Sequence, residues 1–277
     1  MFTIRAVSSA LPPLSFGLAL SALVFASPAR ANEHHFGYVY ETGVLAPGAK
    51  ELEMYNTLRT GREDFYSAMD QRLSFEVGVA NNLMTAFYLN WSNETSGDTV
   101  LSSAFEWQGI SSEWKLKLMD PVADAVGLGL YAELSYGTSG MEIEPKILFD
   151  KKVGNWMLAA NLICEFEFEA EPEEMELEEV APDITLGATY EVKPGFHAGV
   201  ELRNHNAIVK SSASGDLEHE FSALYAGPVL AYATESWWMT FSVLPQLPAL
   251  SKASGGSILV LDDGEKINAR LLFSFHI

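Results

Sequence analysis

Charged side chains recur at every second position along several stretches of this sequence. Arg72 and Glu76 alternate with Leu73, Phe75 and Val77, and Glu113, Lys115 and Lys117 alternate with Trp114, Leu116 and Leu118. Arg59, Glu133, Glu144, Lys146, Glu201, Arg203 and Arg270 stand in the same relation to their apolar neighbours, as do Glu53 and Lys266. Successive side chains of a β-strand point to opposite faces, so this spacing gathers both signs of charge on one side of a sheet. Two kinds of chemistry suit such a face. One is a salt-bridged network that fills a narrow interior; the other is a water-filled path for small solutes. Mixed signs favour an interlocked network over a single-sign field, and the residues alone leave both readings open.

A second signal is the acidic run EFEFEAEPEEMELEEVAPD, which contains Glu171, Glu173, Glu174, Glu176, Glu178 and Glu179. Like charges repel and stay hydrated, so the run reads as an extracellular loop tip joining two strands. Its carboxylates also suit cation collection, or a divalent-ion bridge to lipopolysaccharide, because hard cations take oxygen ligands. His34 and His35 are neighbours on an irregular segment and make a poor chelate, so no metal site is assigned. Nucleophilic catalysis needs a base within reach of a hydroxyl or thiol. None of His34, His35, His197, His205, His219 and His276 lies in a Gly-x-Ser-x-Gly setting, and His219 and Ser222, three apart, fall on opposite faces of a strand. No catalytic residue and no cofactor are therefore expected. An outer-membrane lipid-modifying enzyme is the alternative from another class.

These residues sit on strands that can be read in order. Val126, Leu128, Leu130, Ala132, Leu134 and Tyr136 occupy six alternate positions, longer than a half-buried strand of a soluble protein needs. A strand that crosses a bilayer needs about 9–11 tilted residues. The pattern repeats over Lys50–Thr60, Ala68–Val79, Leu83–Trp91, the segment through Trp114–Leu118, Glu142–Phe149, Trp156–Phe168, the segment through Ile184–Val192, Phe196–Arg203, His219–Tyr232, Trp237–Gln246 and Lys266–Ile277, about twelve strands in all. Tight connections at 80–82, 120–125, 150–155, 193–195 and 234–236 alternate with longer polar ones at 92–99, 204–217 and 248–263. Short turns at one end and long loops at the other belong to an up-and-down antiparallel barrel in an outer membrane.

The flanking segments agree. Arg5, the apolar run Leu14–Phe25 and Ala29-Arg30-Ala31 describe a secretory signal peptide over residues 1–31. Residues 32–48 then form an irregular periplasmic arm and 49–277 the barrel. The formal charge of −20 argues against nucleic acid as a partner. The single Cys164 excludes an internal disulfide. Past residue 31 no apolar run approaches the roughly 20 residues of a membrane helix, so a membrane location requires a closed barrel. Trp156, Tyr190, Phe196 and Trp237 lie beside the short turns, with Trp91 and Tyr136 near the opposite ends, as interfacial belts would.

The last strand alternates Leu271, Phe273, Phe275 and Ile277. It is similar to the terminal strand that barrel-assembly machinery recognises, except that Ile stands where an aromatic is usual. The segments FEVGVANNLMTAFYLNW, WKLKLMDPVADAVGLGLYAE and SWWMTFSVLPQ resemble an uncharacterised group of Gram-negative outer-membrane barrels. That group is similar to the phenol-degradation-pathway (MetA-pathway) transporter-like barrels. The resemblance spans Tyr38 to Ile277 and implies the fold, a place among outer-membrane lipid and lipopolysaccharide, and passage of a small solute. It supplies no functional residue.

Overall fold

The computed structural model describes residues 33–97, 100–138, 140–170 and 175–277. The signal peptide expected over 1–31 lies outside them, as do Glu171, Glu173 and Glu174. Twelve strands follow one another: β1 Lys50–Thr60, β2 Phe65–Ala80, β3 Leu83–Gly97, β4 Ser102–Met119, β5 Gly127–Tyr136, β6 Gly140–Val153, β7 Trp156–Ala170, β8 Met175–Lys193, β9 Phe196–Lys210, β10 Leu217–Ala233, β11 Trp237–Ser251 and β12 Ile267–His276. Each pairs antiparallel with its sequence neighbours, and β1 pairs with β12, with Glu51 opposite His276 and Thr60 opposite Ile267. The sheet is therefore a closed barrel with no free edge, the condition for a sheet to sit in a medium that offers no hydrogen bonds.

The alternation read from the sequence sets the two faces. Phe75, Leu130 and Leu162 are 38%, 44% and 47% exposed on the outer wall, whereas Ser74 and Glu76, flanking Phe75, are 0% and 1% exposed inside. Cys164 also points outward, half-buried beside Leu162. An aromatic cluster marks the end with the tight turns. Trp156 packs edge-on against Tyr190 at 5.1 Å, Tyr232 against Trp237 at 5.6 Å, and Phe273 lies 5.7 Å from Trp237. A charge on the outer wall between such belts meets hydrocarbon. Leu130→Arg is expected to lower the stability of vesicle-refolded protein by about 2–4 kcal/mol, read from a urea titration. Leu130→Phe should leave the midpoint near wild type.

The polar runs at 92–99 and 204–217 differ from expectation. β3 continues to Gly97 and β9 to Lys210, so most residues read as loop are strand. β8 has 19 residues against the roughly 9–11 that a crossing needs, so the surplus extends the wall past the apolar band. Polar residues continue a strand as readily as apolar ones when the neighbouring strand supplies the ladder.

Two local irregularities have visible causes. Gly109 has a φ of 121° at the register shift where Trp91 comes opposite Trp107, and a Cβ there would meet the carbonyl oxygen of Tyr136 at 2.1 Å. A bulge between His219 and Phe221 leaves Phe221, Ser222 and Ala223 buried in succession. This is why alternation blurs in β10, while Pro228 takes an exposed position.

Candidate functional site: the lumen and its N-terminal arm

The arm of residues 33–49 is irregular, as its sequence suggests, but it is not loose: it runs through the barrel interior. Phe36, Val39 and Thr42 are at most 2% exposed. Phe36 and Val39 pack with Ala159 and Val229; Tyr38 packs with Phe221, Tyr225 and Leu244; Tyr40 packs with Tyr131 and Leu148; Val44 and Leu45 pack with Met84. The wall sends charged, polar and apolar side chains inward, and the arm adds Phe36, Tyr38, Val39, Tyr40, Val44 and Leu45 to the apolar ones.

A buried backbone must find partners, and this one meets a strand only at its end, where Gly48 and Ala49 bond to Gly78 of β2. Wall side chains serve instead. The N–H groups of Tyr38 and Val39 donate to Glu201 Oε1 of β9 at 2.9 and 3.3 Å. Tyr40 donates to Asn161 Oδ1 of β7 at 2.7 Å, and its carbonyl accepts from Asn161 Nδ2 at 2.8 Å. Thr42 donates through N–H and Oγ1 to Asp150 of β6, at 2.8 and 2.9 Å. Arg270 Nη1 of β12 donates to the Gly37 carbonyl at 3.2 Å, and Thr240 of β11 donates to that of His34. At the far end Gly48 donates to the carbonyl of Gly78 in β2 at 2.8 Å. Cations cover the arm's rings: Arg270 lies 4.1 Å from the Tyr38 ring centre and Lys146 3.8 Å from that of Tyr40. The Phe36 ring lies where β8 carries Gly187, at which a Cβ would come within 2.5 Å of the ring.

The other charged residues singled out in the sequence form pairs on the inner wall. Arg59 donates to Asp70 at 2.6 Å and reaches Glu265 at 3.1 Å. Arg72 bridges to Glu133 and lies 4.2 Å above the Tyr88 ring, and Tyr88 donates to Glu113. Lys146 pairs with Glu144 at 2.9 Å, and Arg203 with Asp183 at 2.9 Å, which His205 also meets. Glu76 and Lys115 lie buried on the same wall. Lys117 is apart from these, at the rim with Asp120 at 3.3 Å. Glu176, Glu178 and Glu179 are not loop residues. They belong to β8, where Lys210 of β9 bridges Glu176 and lies 3.5 Å from Glu178, because the hairpin's ladder continues through the acidic run.

Asp150, Asn161 and Asp183 were not singled out by sequence. Their signal was parity: Asp150 stands four residues from the inward Lys146, and Asp183 beside the outward Ile184. The arm carried no such signal. Its role depends on residues more than a hundred positions away.

At the end of the barrel where β5 finishes and β6 begins lies a vestibule of about 630 Å³. Arg59, Arg72 and Arg270 line it, outnumbered by carboxylates that include Asp70, Glu133, Glu142, Glu165 and Glu167. Arg270 lines this space and also donates to the Gly37 carbonyl, so one side chain joins the vestibule wall to the arm.

At the turn end His35 Nδ1 meets Glu41 Oε1 at 2.8 Å, and the His35 and His197 rings are 4.2 Å apart. Burial opposes the charged imidazole of His35, but the Glu41 carboxylate raises it above its ordinary 6.5. Burial likewise opposes the Glu41 carboxylate, and His35 holds it below its ordinary 4.5. The His35 contribution is whole below 6.5 and lost as pH rises through its raised value; the Glu41 contribution is whole above 4.5 and lost as pH falls through its lowered one. The arm's terminal anchor is thus firmest between about 4.5 and 6.5. Limited proteolysis should cut the arm faster at pH 9 than at pH 6, and His35→Gln should flatten the difference.

Comparison with known proteins places the fold. The outer-membrane channel COG4313 from Pseudomonas putida F1 superimposes with a TM-score of 0.59 at 12% identity, over 84% of this chain and 97% of that one. The NanC porin aligns with a TM-score of 0.52 at 12% identity, over 82% and 100%. The translocator domain of the autotransporter NalP from Neisseria meningitidis aligns with a TM-score of 0.51 at 9% identity, over 84% and 90%. At these identities the likeness is one of fold, shared by proteins whose names describe different tasks. A search of curated proteins found no match. One family profile does match, over residues 28–146 and 150–277, and the chain belongs to that family of unknown function, DUF6662.

Proposed function

We propose that this protein resides in the bacterial outer membrane and conducts a small polar solute through its lumen, with the N-terminal arm as the closure of the path. The observation that carries this reading is a charged vestibule joined through Arg270 to an arm that lies buried in the barrel interior. A barrel of this strand number is wider than the eight-stranded kind whose side chains alone fill the interior. The excess of carboxylates on the vestibule wall favours a cationic or neutral solute over an anion. Acyl chains and lipopolysaccharide surround the wall, and barrel-assembly machinery engages β12, whose Phe275 faces outward. The resemblance to phenol-degradation-pathway transporter-like barrels adds small aromatic compounds to the solutes worth testing.

A second reading is a non-conducting structural barrel, favoured by the ion pairs Arg72–Glu133 and Arg59–Asp70 that occupy the lumen. Catalysis is not part of either reading. Ser222, the hydroxyl nearest in sequence to His219, donates to Asn206 at 2.6 Å and accepts from Asn204 at 2.9 Å.

The test is single-channel recording in planar bilayers with chloride salts of cations of increasing size, and with potassium salts of anions of increasing size. Discrete steps that favour cations support the conducting reading. Absence of steps from both the full chain and an arm-deleted chain would leave the structural barrel.

A further inference from the structure

We propose that the barrel holds one Ca²⁺-class cation inside its turn end, between Glu51 and Glu53 of β1 and Glu76 of β2. One carboxylate oxygen from each residue lies within 4.8 Å of the other two. Ca²⁺ takes oxygen ligands at about 2.3–2.6 Å in flexible geometry, a spacing that such a triangle accommodates. All three residues are at most 2% exposed, and taking three carboxylates out of water is costly unless positive charge meets them.

The side chains around the triangle account for the oxygens of Glu51 and for one oxygen of Glu53. His276 Nε2 meets Glu51 Oε1 at 2.8 Å, and Ser274 and Trp238 donate to Glu51 Oε2 at 3.1 and 3.4 Å. Tyr55 donates to Glu53 Oε2 at 2.8 Å. Glu53 Oε1 is buried without a hydrogen-bond partner.

A second residue, not one of the carboxylates, points the same way. Ser74 stands directly opposite Glu53 in the β1–β2 ladder and two residues before Glu76, on the same inner face. It is 0% exposed and its Oγ has no partner. Ser74 Oγ and Glu53 Oε1, carried by paired residues on one face and both buried without a partner, are oxygens of the kind a hard cation uses. Two strands hydrogen-bonded side by side hold the donors, so the cation would fasten β1 to β2 where the arm enters β1.

The full-length protein, purified in detergent and stripped with EDTA, is titrated with Ca²⁺ by calorimetry and with Tb³⁺ by luminescence. Trp238, against Glu51, is the sensitiser. The expected result is one Ca²⁺ per chain, with Tb³⁺ emission that Ca²⁺ displaces. Glu53→Gln should abolish both signals. Ser74→Ala, which removes one hydroxyl, should weaken binding about tenfold. Trp238→Phe should dim the emission and keep the Ca²⁺ stoichiometry. Glu176→Gln with Glu178→Gln, in the acidic hairpin, should change neither. Heat-modified migration on gels verifies that each variant is folded. A wild-type stoichiometry of zero, as a proton shared between Glu53 and Glu76 would produce, overturns the proposal. So does binding that survives Glu53→Gln and disappears with the hairpin variant.

Discussion

Removing residues 33–47 should raise the single-channel conductance several-fold and turn brief openings into long ones. The arm crosses the lumen, fills it with Phe36, Tyr38 and Tyr40, and is tied to β9, β7 and β6 through Glu201, Asn161 and Asp150. Without it those three side chains face open space and water takes their hydrogen bonds. The wall itself survives, because every strand keeps two neighbours. The deletion does cost stability: burying one large apolar side chain contributes about 1.5–3 kcal/mol, so the truncated barrel should unfold at a lower temperature while still shifting on gels. A gentler perturbation separates plug loss from general loosening. Gly187→Val places a side chain where the Phe36 ring lies. It should move the conductance in the same direction and expose the arm to protease, with the wall intact. Equal conductance from the full and the truncated chain would mean that the arm is not what closes the path.

Arg72→Ala is the single substitution with the largest expected loss of stability. Its guanidinium bridges to Glu133, which is 3% exposed, and covers the Tyr88 ring at 4.2 Å. Removing one partner strands a buried carboxylate, a loss of about 3–5 kcal/mol. The hydroxyl of Tyr131, donating to Glu133 at 2.6 Å, offsets only part of that. Lys117→Ala makes the contrast. Its partner Asp120 is 42% exposed at the rim, so water already solvates the pair and the expected change is about 0–1 kcal/mol. The double replacement Arg72→Met with Glu133→Leu should recover most of what Arg72→Ala loses, since no unmatched charge remains. Denaturation midpoints in detergent decide the matter. Equal midpoints for Arg72→Ala and Lys117→Ala would show that the lumen is wet at Arg72 and that the pair is not a structural bond.

The wall was legible in the amino-acid sequence because its rule is local. Side chains of a strand alternate with a period of two, so Phe75 and Glu76 declare opposite faces without reference to anything beyond their neighbours. Tight turns and an apolar outer face then lead to a closed barrel, since an open sheet in a membrane would leave backbone groups unmatched. The same rule assigned Arg72, Glu113, Lys146, Glu201 and Arg270 to the interior.

Which charge meets which is another matter. Arg72 and Glu133 are 61 residues apart and come together only when the strands between them take their register. The ends of the strands were also hidden, because polar residues such as those of β9 past Arg203 continue a ladder whose partner strand the local pattern does not reveal. The arm was least legible of all. It has no period, most of its backbone bonds go to side chains rather than to a strand, and those partners lie far off: Tyr38 meets Glu201 across 163 positions and Tyr40 meets Asn161 across 121. Local alternation by itself determined that this chain makes a barrel with an ionic interior. Only closure, which brings distant strands around one axis, decided that the interior is occupied by the chain's own beginning.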